Sequence, residues 1–322
     1  MSLFPLFDPA DRPPQAARLA PKLRALAARG VYFGTSSWKY EGWLGSIYSP
    51  DRYVTRGKFS RKKFEAECLA EYAETFPVVC GDFAFYQFPT PEYWARLFGG
   101  TPASLLFAFK VPEDLTVATW PSHARYGERA SQPNKEFLNP DVFTRRFSRR
   151  LEPYTDRVAT LIFEFGTFNK STFPTADDFF ARLDHFLESL PGGFRYAVEI
   201  RNREYLGPAY FALLANHNVA HVLNAWTRMP SLTDQAETPG IYTADFTVVR
   251  ALLTKGRNYE QAVRDLEPYQ LVQDPDQAAR DAMKAIAGRS LKARKPAFLF
   301  VNNRLEGNAP STIEAVVEGL DG

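Results

Sequence analysis

Residues 160–200 of the chain are TLIFEFGTFNKSTFPTADDFFARLDHFLESLPGGFRYAVEI. The apolar and aromatic runs at the two ends of this stretch, Thr160–Phe165 and Arg195–Ile200, have the length and composition of buried strands. Between them, Thr175–Leu190 carries apolar residues at helical spacing. A strand, a helix and a second strand in this order predict a pair of parallel strands with a helix covering one face of the sheet.

The same alternation continues outward from this unit in both directions. Eight runs are predicted as strands: Val31–Ser36, Val78–Ala84, Leu105–Lys110, Thr160–Phe165, Arg195–Ile200, His221–Ala225, Phe246–Leu252 and Ala297–Val301. Helices are predicted between most of them: Arg61–Phe76, Pro91–Phe98, Pro140–Leu151, Thr175–Leu190, Pro208–Asn216, Pro275–Leu291 and Pro310–Leu320. The stretch Thr227–Gly240 is too short and too proline-rich for a full crossover helix.

Eight strand–helix units within 322 residues predict an α/β protein with a TIM-like (β/α)8 barrel. An open, doubly wound sheet is the alternative, but the chain lacks the GxGxxG and GxxxxGKS/T loops that often mark such sheets. Residues 1–29 are interpreted as a Pro/Ala-rich extension with one short helix, in which Leu19, Leu23 and Leu26 share a face. Residues 30–322 are interpreted as a single barrel domain.

Composition and charge exclude several classes of protein. The chain has 39 Lys and Arg against 37 Asp and Glu, a net charge of +2, which argues against a protein that coats nucleic acid through overall charge. The N-terminus lacks a signal-peptide pattern, and no apolar run approaches the ~20 residues of a membrane-spanning helix. With two cysteines, Cys68 and Cys80, the expectation is a cytoplasmic protein without membrane association or a disulfide framework.

Polar or aromatic-polar residues stand at the end of every predicted strand. In a barrel of this kind, the chemistry lies at the carboxyl ends of the strands. Charged side chains inside apolar strands are costly to bury unless they converge on one another or on a ligand. We predict Lys110, Glu164 and Glu199 as catalytic residues. The predicted substrate-binding residues are Trp38, Tyr40, Asp82, Tyr86, Arg201, Asn224, Arg250, Asn302 and Asn303.

The chemistry of this set fits an anionic, hydroxylated or phosphorylated small molecule. Lys110, Arg201 and Arg250 could clamp an anion, and the paired carboxylates Glu164 and Glu199 could share acid and base roles. Lys110 could also act as a nucleophilic amine. The structural alternative is that the charges pair with one another and with nothing else.

Metals and other cofactors are not expected. The chain has four histidines. His217 and His221 precede the sixth strand, on the opposite end of a barrel from the strand exits, and are interpreted as a helix end and a core residue. His123 lies in the long loop between Val111 and Asn139 and could reach the mouth of the barrel. A divalent ion held by carboxylates alone remains an open alternative.

A basic segment follows the first strand. Arg56, Lys58, Arg61, Lys62 and Lys63 cluster with Phe59 and Phe64 on what would be the mouth side, which makes this segment the best phosphate or nucleic-acid contact in the chain. A solvated start of a helix explains the same pattern. The loop of residues 111–139 is unusually long for a barrel connection, and such loops are often lids or binding loops.

Six motifs are similar in sequence and order to those of the YecE-like family, domain of unknown function 72 (DUF72). They are GTSSWKYEGWLGSIY (34–48), FAFYQFPTPEYWARL (83–97), LLFAFKVPEDLT (105–116), LIFEFGTF (161–168), AVEIRNREYL (197–206) and FLFVNNRLEGNAP (298–310). The resemblance implies a TIM-barrel-like fold, bacterial or archaeal cytoplasmic occurrence and no firmly established activity. It also places Trp38, Phe85, Tyr86, Lys110, Glu199, Arg201, Arg250, Asn302 and Asn303 on motif positions.

The chain departs from the motifs of this family at several polar positions. Cys80 stands for a Glu, Asp82 for an Asn, Glu164 for a Gln and Asn202 for a His, and Val117 replaces the His of a Thr-His pair. These differences predict a divergent branch with a different ligand. Three functions remain open: an enzyme acting on a phosphorylated or polyhydroxylated small molecule (a hydrolase or an isomerase/lyase), a nucleic-acid-binding or -processing barrel, and a non-catalytic ligand sensor or scaffold. The oligomeric state stays unpredicted.

Overall fold

The computed structural model describes residues 12–320 of the chain. Eight parallel strands form a closed barrel in which each strand pairs with its neighbours in sequence and the last pairs with the first. They are β1 (Val31–Thr35), β2 (Val78–Gly81), β3 (Leu106–Lys110), β4 (Val158–Glu164), β5 (Tyr196–Glu199), β6 (Ala220–Ala225), β7 (Thr247–Ala251) and β8 (Ala297–Val301). All eight predicted strands are confirmed to within a few residues, and the open-sheet alternative is excluded.

Helices surround the barrel as the sequence predicts. The α-helices are Pro14–Ala28, Arg61–Thr75, Pro91–Gly99, Glu113–Thr116, Pro140–Phe143, Arg149–Leu151, Ala176–Glu188, Pro208–Asn216, Leu232–Glu237, Tyr259–Leu266, Gln277–Ala293, Asn303–Glu306 and Ala309–Val317. The predicted helix 140–151 is interrupted by the π-helical segment Thr144–Ser148. The proline-rich segment after β6 forms the six-residue helix Leu232–Glu237, which begins with a capping box of Ser231 and Asp234.

The loops contain short secondary-structure elements. Turns of 3-10 helix lie at Glu41–Trp43, Pro50–Tyr53, Ala124–Arg129, Glu152–Arg157 and Arg203–Tyr205. The loop after β1 also contains a two-stranded hairpin, Val54–Thr55 with Lys58–Phe59. No helix among residues 12–320 is long and apolar enough to cross a membrane.

The N-terminal helix packs onto the barrel. Ala16, Leu19, Leu23 and Leu26 are buried and belong to the same apolar cluster as Phe33 of β1. The first eleven residues of the predicted extension lie outside the described residues. The division at residue 30 therefore remains an interpretation of the sequence, although the helix shares a core with the barrel.

The interior of the barrel is apolar toward the amino ends of the strands and charged toward their carboxyl ends. A cluster of buried strand and loop residues, without a helix residue, fills the interior; its members include Val78, Cys80, Ala108, Ile162, Ala197, Val222, Val248, Phe298 and Phe300. Successive side chains of a strand alternate between its two faces, so the residues two positions further along also point inward. Those next residues are Asp82, Lys110, Glu164, Glu199, Asn224 and Arg250.

Aromatic residues supply much of the packing between barrel and helices. Phe143, Phe163, Phe186 and Tyr196 form five ring contacts with centroids 5.2–6.0 Å apart, of which three are edge-to-face, one is tilted and one is stacked. These four rings belong to the apolar core between the barrel and its helices.

Candidate functional site

The charged side chains at the carboxyl ends of the strands form two neighbouring groups. The first group is centred on Lys110, the last residue of β3. Its Nζ lies 2.9 Å from Oδ1 of Asp82 and 3.3 Å from Oε2 of Glu164, the last residue of β4. Nζ also lies 3.6 Å from the centroid of the Phe85 ring, a cation–π contact. The Lys110 side chain is 7% exposed and that of Asp82 is 48% exposed, so Asp82 marks the solvent side of this ion pair.

The second group of charged side chains is centred on Glu199, the last residue of β5, whose side chain is fully buried. Arg250 of β7 donates from Nη1 to Oε2 of Glu199 and to Oε2 of Glu164. Nη2 of Arg201 lies 2.6 Å from Oε1 of Glu199 and 3.7 Å from Oε2 of Glu164. Glu164 therefore contacts all three cations and joins the two groups into one ion cluster of six residues: Asp82, Lys110, Glu164, Glu199, Arg201 and Arg250.

The cluster shifts the pKa values of its members. Burial by itself would raise the pKa of the Glu164 carboxyl, but Lys110, Arg250 and Arg201 outweigh burial and hold this pKa well below its usual range. Burial would likewise lower the pKa of the Lys110 amine, but attraction to Glu164 and Asp82 raises it instead. For Arg250, attraction to Glu199 and Glu164 overcomes burial and raises the pKa.

These pKa directions limit the chemistry of the cluster. Glu164 stays ionised at neutral pH, so it can accept hydrogen bonds but does not supply a proton, and its lowered pKa makes it a weak base. Lys110 stays protonated and is suited to bind an anion rather than to attack as a free amine. Three cations face three carboxylates, so the cluster is neutral as a whole.

Several buried polar atoms of the cluster have unused hydrogen-bonding capacity. Arg201 Nη1 and Arg250 Nε have no hydrogen-bond partner among the described residues. Glu199 Oε1 also accepts no hydrogen bond there, because its 2.6 Å approach to Arg201 is an ion pair without hydrogen-bond geometry. A buried donor without a partner costs free energy, so a ligand that reached these guanidinium groups would gain by accepting from them.

The three predicted asparagines bind backbone. Asn224 is fully buried opposite Arg250 in the β6–β7 register, and its Nδ2 donates to the carbonyls of Ile200 and Val222, each at 3.3 Å. Asn302 accepts from the Arg304 N–H at 3.0 Å and caps the helix Asn303–Glu306. Asn303 accepts from the N–H of residue 309 at 2.7 Å. The last two order the loop after β8, and the Asn224 Oδ1 is left without a partner among the described residues.

The predicted substrate-binding tyrosines differ in their exposure. Tyr40 contacts the rings of Trp43 and Tyr269 and is largely buried, which raises the pKa of its hydroxyl. Tyr86 is 54% exposed, with the Arg125 guanidinium of the long loop 4.8 Å from its ring centroid. Beside the ion cluster, the ring centroid of Trp226 lies 4.1 Å from the guanidinium of Arg201.

Two residues at this end of the barrel were not among the predicted site residues. Phe85, which the family resemblance places on a motif position, contacts the Lys110 ammonium group with its ring. Arg304 has no ion pair among residues 12–320; its guanidinium lies 4.5 Å from the centroid of the Tyr259 ring, and its charge acts on the hydroxyls of Tyr40 and Tyr269. The sequence signal for Arg304 was its position directly after the Asn302–Asn303 pair at the end of β8.

A cleft of about 540 Å³ opens beside the ion cluster, where β1 and β2 end and the helices Arg61–Thr75 and Pro91–Gly99 face each other. Trp38, whose ring stacks on Phe83 at 4.5 Å and 12°, lies at the strand end of the cleft. Asp82 belongs to both the cleft and the ion cluster. The complete lining is Ser36, Ser37, Trp38, Lys39, Glu65, Ala66, Leu69, Asp82, Phe83, Tyr93, Arg96, Leu97, Gly100 and Thr101.

The basic segment lies on the exposed hairpin and at the start of the following helix. Arg56 and Lys58 are exposed, and the Phe59 ring is 40% exposed. Arg61 is already paired, at 2.9 Å from Glu65 and 3.3 Å from Glu41.

The long loop is held together by contacts between its own side chains. Glu113 accepts from Arg125 at 2.7 Å and from Tyr126 at 2.9 Å. His123 caps the segment Ala124–Arg129 by accepting from the Arg125 N–H at 3.1 Å. The loop therefore has an internal framework of its own, and His123 takes part in it.

His217, which precedes β6, and His221, the second residue of β6, have the structural roles that the sequence predicts. His217 ends the helix Pro208–Asn216 and lies 2.7 Å from Asp184, and His221 is buried beside Tyr210. Within residues 12–320, no group of three or more His, Cys, Asp or Glu side chains is arranged to hold a metal ion.

Comparison with known proteins identifies the family of the chain. A family model described as "Protein of unknown function DUF72" matches residues 32–322. The UPF0759 protein YecE of Escherichia coli K12 is 26% identical over 176 residues, which are 54% of this chain and 50% of YecE. The chain thus aligns with about half the length of this curated relative.

Solved structures of the same family share the fold. A DUF72 family protein from Thermotoga maritima MSB8 matches with a TM-score of 0.55 and 19% identity, covering 90% of this chain and 98% of that one. A DUF72 family protein from Enterococcus faecalis V583 matches with a TM-score of 0.56 and 15% identity, covering 89% and 95% of the two chains. At these identities the likeness concerns the fold.

Proposed function

The chain belongs to the DUF72 family, a family of unknown function, and from this premise we propose that it binds an anionic small molecule, phosphorylated or polyhydroxylated, at the mouth of the barrel and acts on it as an enzyme. The observation that carries the proposal is the convergence of Lys110, Glu164, Glu199 and Arg250 from four strands onto the interior face, with Arg201 beside them. Burial of so many charges in one place is costly, and a ligand-binding role accounts for it.

The proposed roles follow from contacts and exposure. Arg201 and Arg250, which have guanidinium nitrogens without partners among the described residues, would receive the anionic group together with Lys110. Glu164, whose side chain is 18% exposed and which its lowered pKa keeps ionised, would accept hydrogen bonds from the ligand and is the candidate base, although a weak one at this pKa. Glu199 is fully buried and would orient the two arginines. Asn224 and Arg304 are additional polar groups that a hydroxylated or anionic ligand would meet.

A metabolite screen with two variants tests this proposal. Lys110→Ala removes a cation, and Glu199→Gln keeps the side-chain shape but removes the charge that holds Arg201 and Arg250. Both should lose ligand binding or turnover while their circular-dichroism spectra remain like that of the wild type. If neither variant changed binding or turnover with its fold intact, the mouth would not be the site. The matched control is Arg149→Ala, which removes one positive charge from an outer helix.

The internal pairing of the charges favours a second candidate, a non-catalytic ligand sensor or scaffold. In the ion cluster, every cation contacts at least one carboxylate, and the cluster is neutral. Under this alternative the cluster is a structural element or a binding site without turnover. A ligand bound in the screen but recovered unchanged after long incubation would support the sensor over the enzyme.

A nucleic-acid-binding barrel is a third candidate, and the exposed hairpin Val54–Phe59 with its basic residues is the observation that favours it. Phosphate contacts by Arg56, Lys58, Lys62 and Lys63 would make binding strongly salt-dependent. A gel-shift series at increasing salt therefore tests it. Absent or salt-insensitive binding would exclude this candidate.

A further inference from the structure

We propose that the cleft between the helices Arg61–Thr75 and Pro91–Gly99 is a second binding site, which takes a planar aromatic molecule carrying a carboxylate or phosphate group. Its volume of about 540 Å³ lies within the range of ligand pockets, ~300–1,000 Å³. The proposal depends on the residues of the cleft and is independent of what the ion cluster does.

The apolar part of the cleft is suited to a flat ring. Trp38 and Phe83 form a nearly parallel stack at the strand end, and Tyr93 contributes a third aromatic ring from the neighbouring helix. Leu69 and Leu97, which are half-buried, line the two helix walls. A planar aromatic ligand would bury its faces against these rings and aliphatic chains, in the offset or edge-to-face contacts that aromatic groups prefer.

The charges of the cleft favour an anion. Lys39 and Arg96 form no ion pair among residues 12–320. Their cationic groups lie instead 5.4 Å from the centroid of the Trp38 ring and 5.9 Å from that of the Tyr93 ring. The two acids of the lining are already engaged, since Glu65 pairs with Arg61 at 2.9 Å and Asp82 with Lys110 at 2.9 Å. The cleft therefore presents two uncompensated positive charges, both held beside aromatic rings that line it.

Two buried polar atoms of the lining await partners. Trp38 Nε1 and Ser36 Oγ have no hydrogen-bond partner among the described residues. The indole N–H can only donate, and the hydroxyl can donate or accept, so either would gain from an oxygen of a bound molecule that reached it. Their pairing with a ligand would recover the cost of leaving them buried and unsatisfied.

The end of the cleft formed by Gly100 and Thr101 does not repel an anion. Gly100 and Thr101 follow the C-terminus of the helix Pro91–Gly99, where carbonyl groups carry partial negative charge. Arg157 reduces this charge by donating to the Phe98 carbonyl at 3.3 Å and to the Thr101 hydroxyl at 3.0 Å. The anionic group would sit toward Lys39 and Arg96, and the ring against Trp38 and Phe83.

Three probes separate the requirements for ring and charge in calorimetric titrations. 2-Naphthoate has both, 2-naphthalenemethanol has the ring without the charge, and cyclohexanecarboxylate has the charge without an aromatic ring. We expect saturable binding of 2-naphthoate to the wild-type protein and at least about tenfold weaker binding of each of the other two. In NMR spectra, the indole N–H signal that Trp38→Phe removes should shift when 2-naphthoate binds.

Variants assign binding to the cleft. Lys39→Ala combined with Arg96→Ala should weaken 2-naphthoate by at least about tenfold. Ala66→Phe, on the exposed surface of a helix, should fill the cleft and abolish binding. Lys62→Ala, which removes a positive charge from the same helix outside the lining, should change nothing. The proposal is overturned if 2-naphthoate does not bind, if the two analogues bind as well as it does, or if its binding survives both Ala66→Phe and the double variant. Mouth variants do not enter this test, so failure of the enzyme proposal leaves it intact.

Discussion

The mouth of the barrel and the cleft beside it balance their positive charges in different ways. In the mouth, Lys110, Arg201 and Arg250 are neutralised by carboxylates within 3.7 Å. In the cleft, Lys39 and Arg96 lie beside aromatic rings, at 5.4 and 5.9 Å from the ring centroids. A ring attracts a cation through its quadrupole without cancelling its charge, whereas a carboxylate cancels it.

This difference predicts different consequences for stability and for binding. The mouth residues depend on one another, because their charges, apart from that of the half-exposed Asp82, are largely buried and would be left uncompensated without their partners. The cleft cations are exposed and can be removed at little cost to the fold. Substitutions in the mouth should therefore change stability first, and substitutions at the cleft rim should change binding first.

The largest effect is expected from Glu199→Leu. This substitution leaves Arg201 and Arg250 with Glu164 as their remaining carboxylate, and removing one member of a buried ion network typically costs about 3–5 kcal/mol. Chemical denaturation should show a loss of unfolding free energy in this range. A loss below about 1 kcal/mol would mean that the mouth charges are not mutually dependent.

Acidification should cause a smaller loss of folding stability. This loss should arise from His221, near the amino end of β6, rather than from the mouth. Burial lowers the pKa of His221 to about 4, whereas the unfolded value is 6.5. Between these values the unfolded chain binds a proton that the folded chain does not, so stability falls as the pH falls from 6.5 towards 4. From pH 7 to pH 4.5 the loss should be about 2 to 3 kcal/mol.

Glu164 of the ion cluster should contribute little to this loss. The folded-state pKa of Glu164 lies well below its usual range, so the stability it provides is present above its unfolded pKa and is lost only in stronger acid. His221→Gln, measured at both pH values, is the control, since it removes the titrating group and leaves the mouth unchanged. An equal acid loss in this variant would move the origin of the effect away from His221.

Gly81→Ala should affect the cleft more than the mouth. A Cβ at this position would lie 2.6 Å from the Trp38 ring and 2.9 Å from the Phe83 ring, so their stack would have to move. Overpacking of this kind typically costs about 1–3 kcal/mol. Gly99→Ala, where a Cβ meets no atom within 4 Å, is the matched control. Compared with Gly99→Ala, the Gly81→Ala variant should unfold at a lower temperature and should bind 2-naphthoate with a different affinity in the titration.

The barrel was predictable from the sequence because its strands are continuous apolar runs of the right length and number. The mouth residues were predictable for a related reason: Lys110, Glu164, Glu199 and Arg250 interrupt those runs, and a charge inside an apolar strand is conspicuous. Their pairing was not predictable in the same way. Arg250 reaches Glu164 across two intervening strands, a contact that depends on the register and curvature of the closed sheet.

The cleft was missed as a unit because its residues carry no common signal. Ala66 and Leu97 belong to two different helices, Trp38 and Asp82 to two different strand ends, and each alone is an ordinary residue. The asparagines at the end of β8 illustrate the converse problem. Asn302 and Asn303 stand where ligand-binding residues stand, yet their side-chain oxygens accept from backbone N–H groups of the same loop. Position along a strand does not distinguish the two roles.

Asp82 joins the two regions, and Asp82→Asn should give the smallest effect on stability. Its carboxylate is half-exposed and Lys110 keeps its contact with Glu164, so a loss of about 0.2–1 kcal/mol is expected in chemical denaturation. The same substitution removes a negative charge from the cleft lining and should therefore strengthen the binding of 2-naphthoate. A larger loss of stability would mean that Asp82 belongs energetically to the buried ion cluster. Weaker binding of 2-naphthoate would mean that the Asp82 carboxylate orients the cleft residues. Either result would contradict the separation of the two regions.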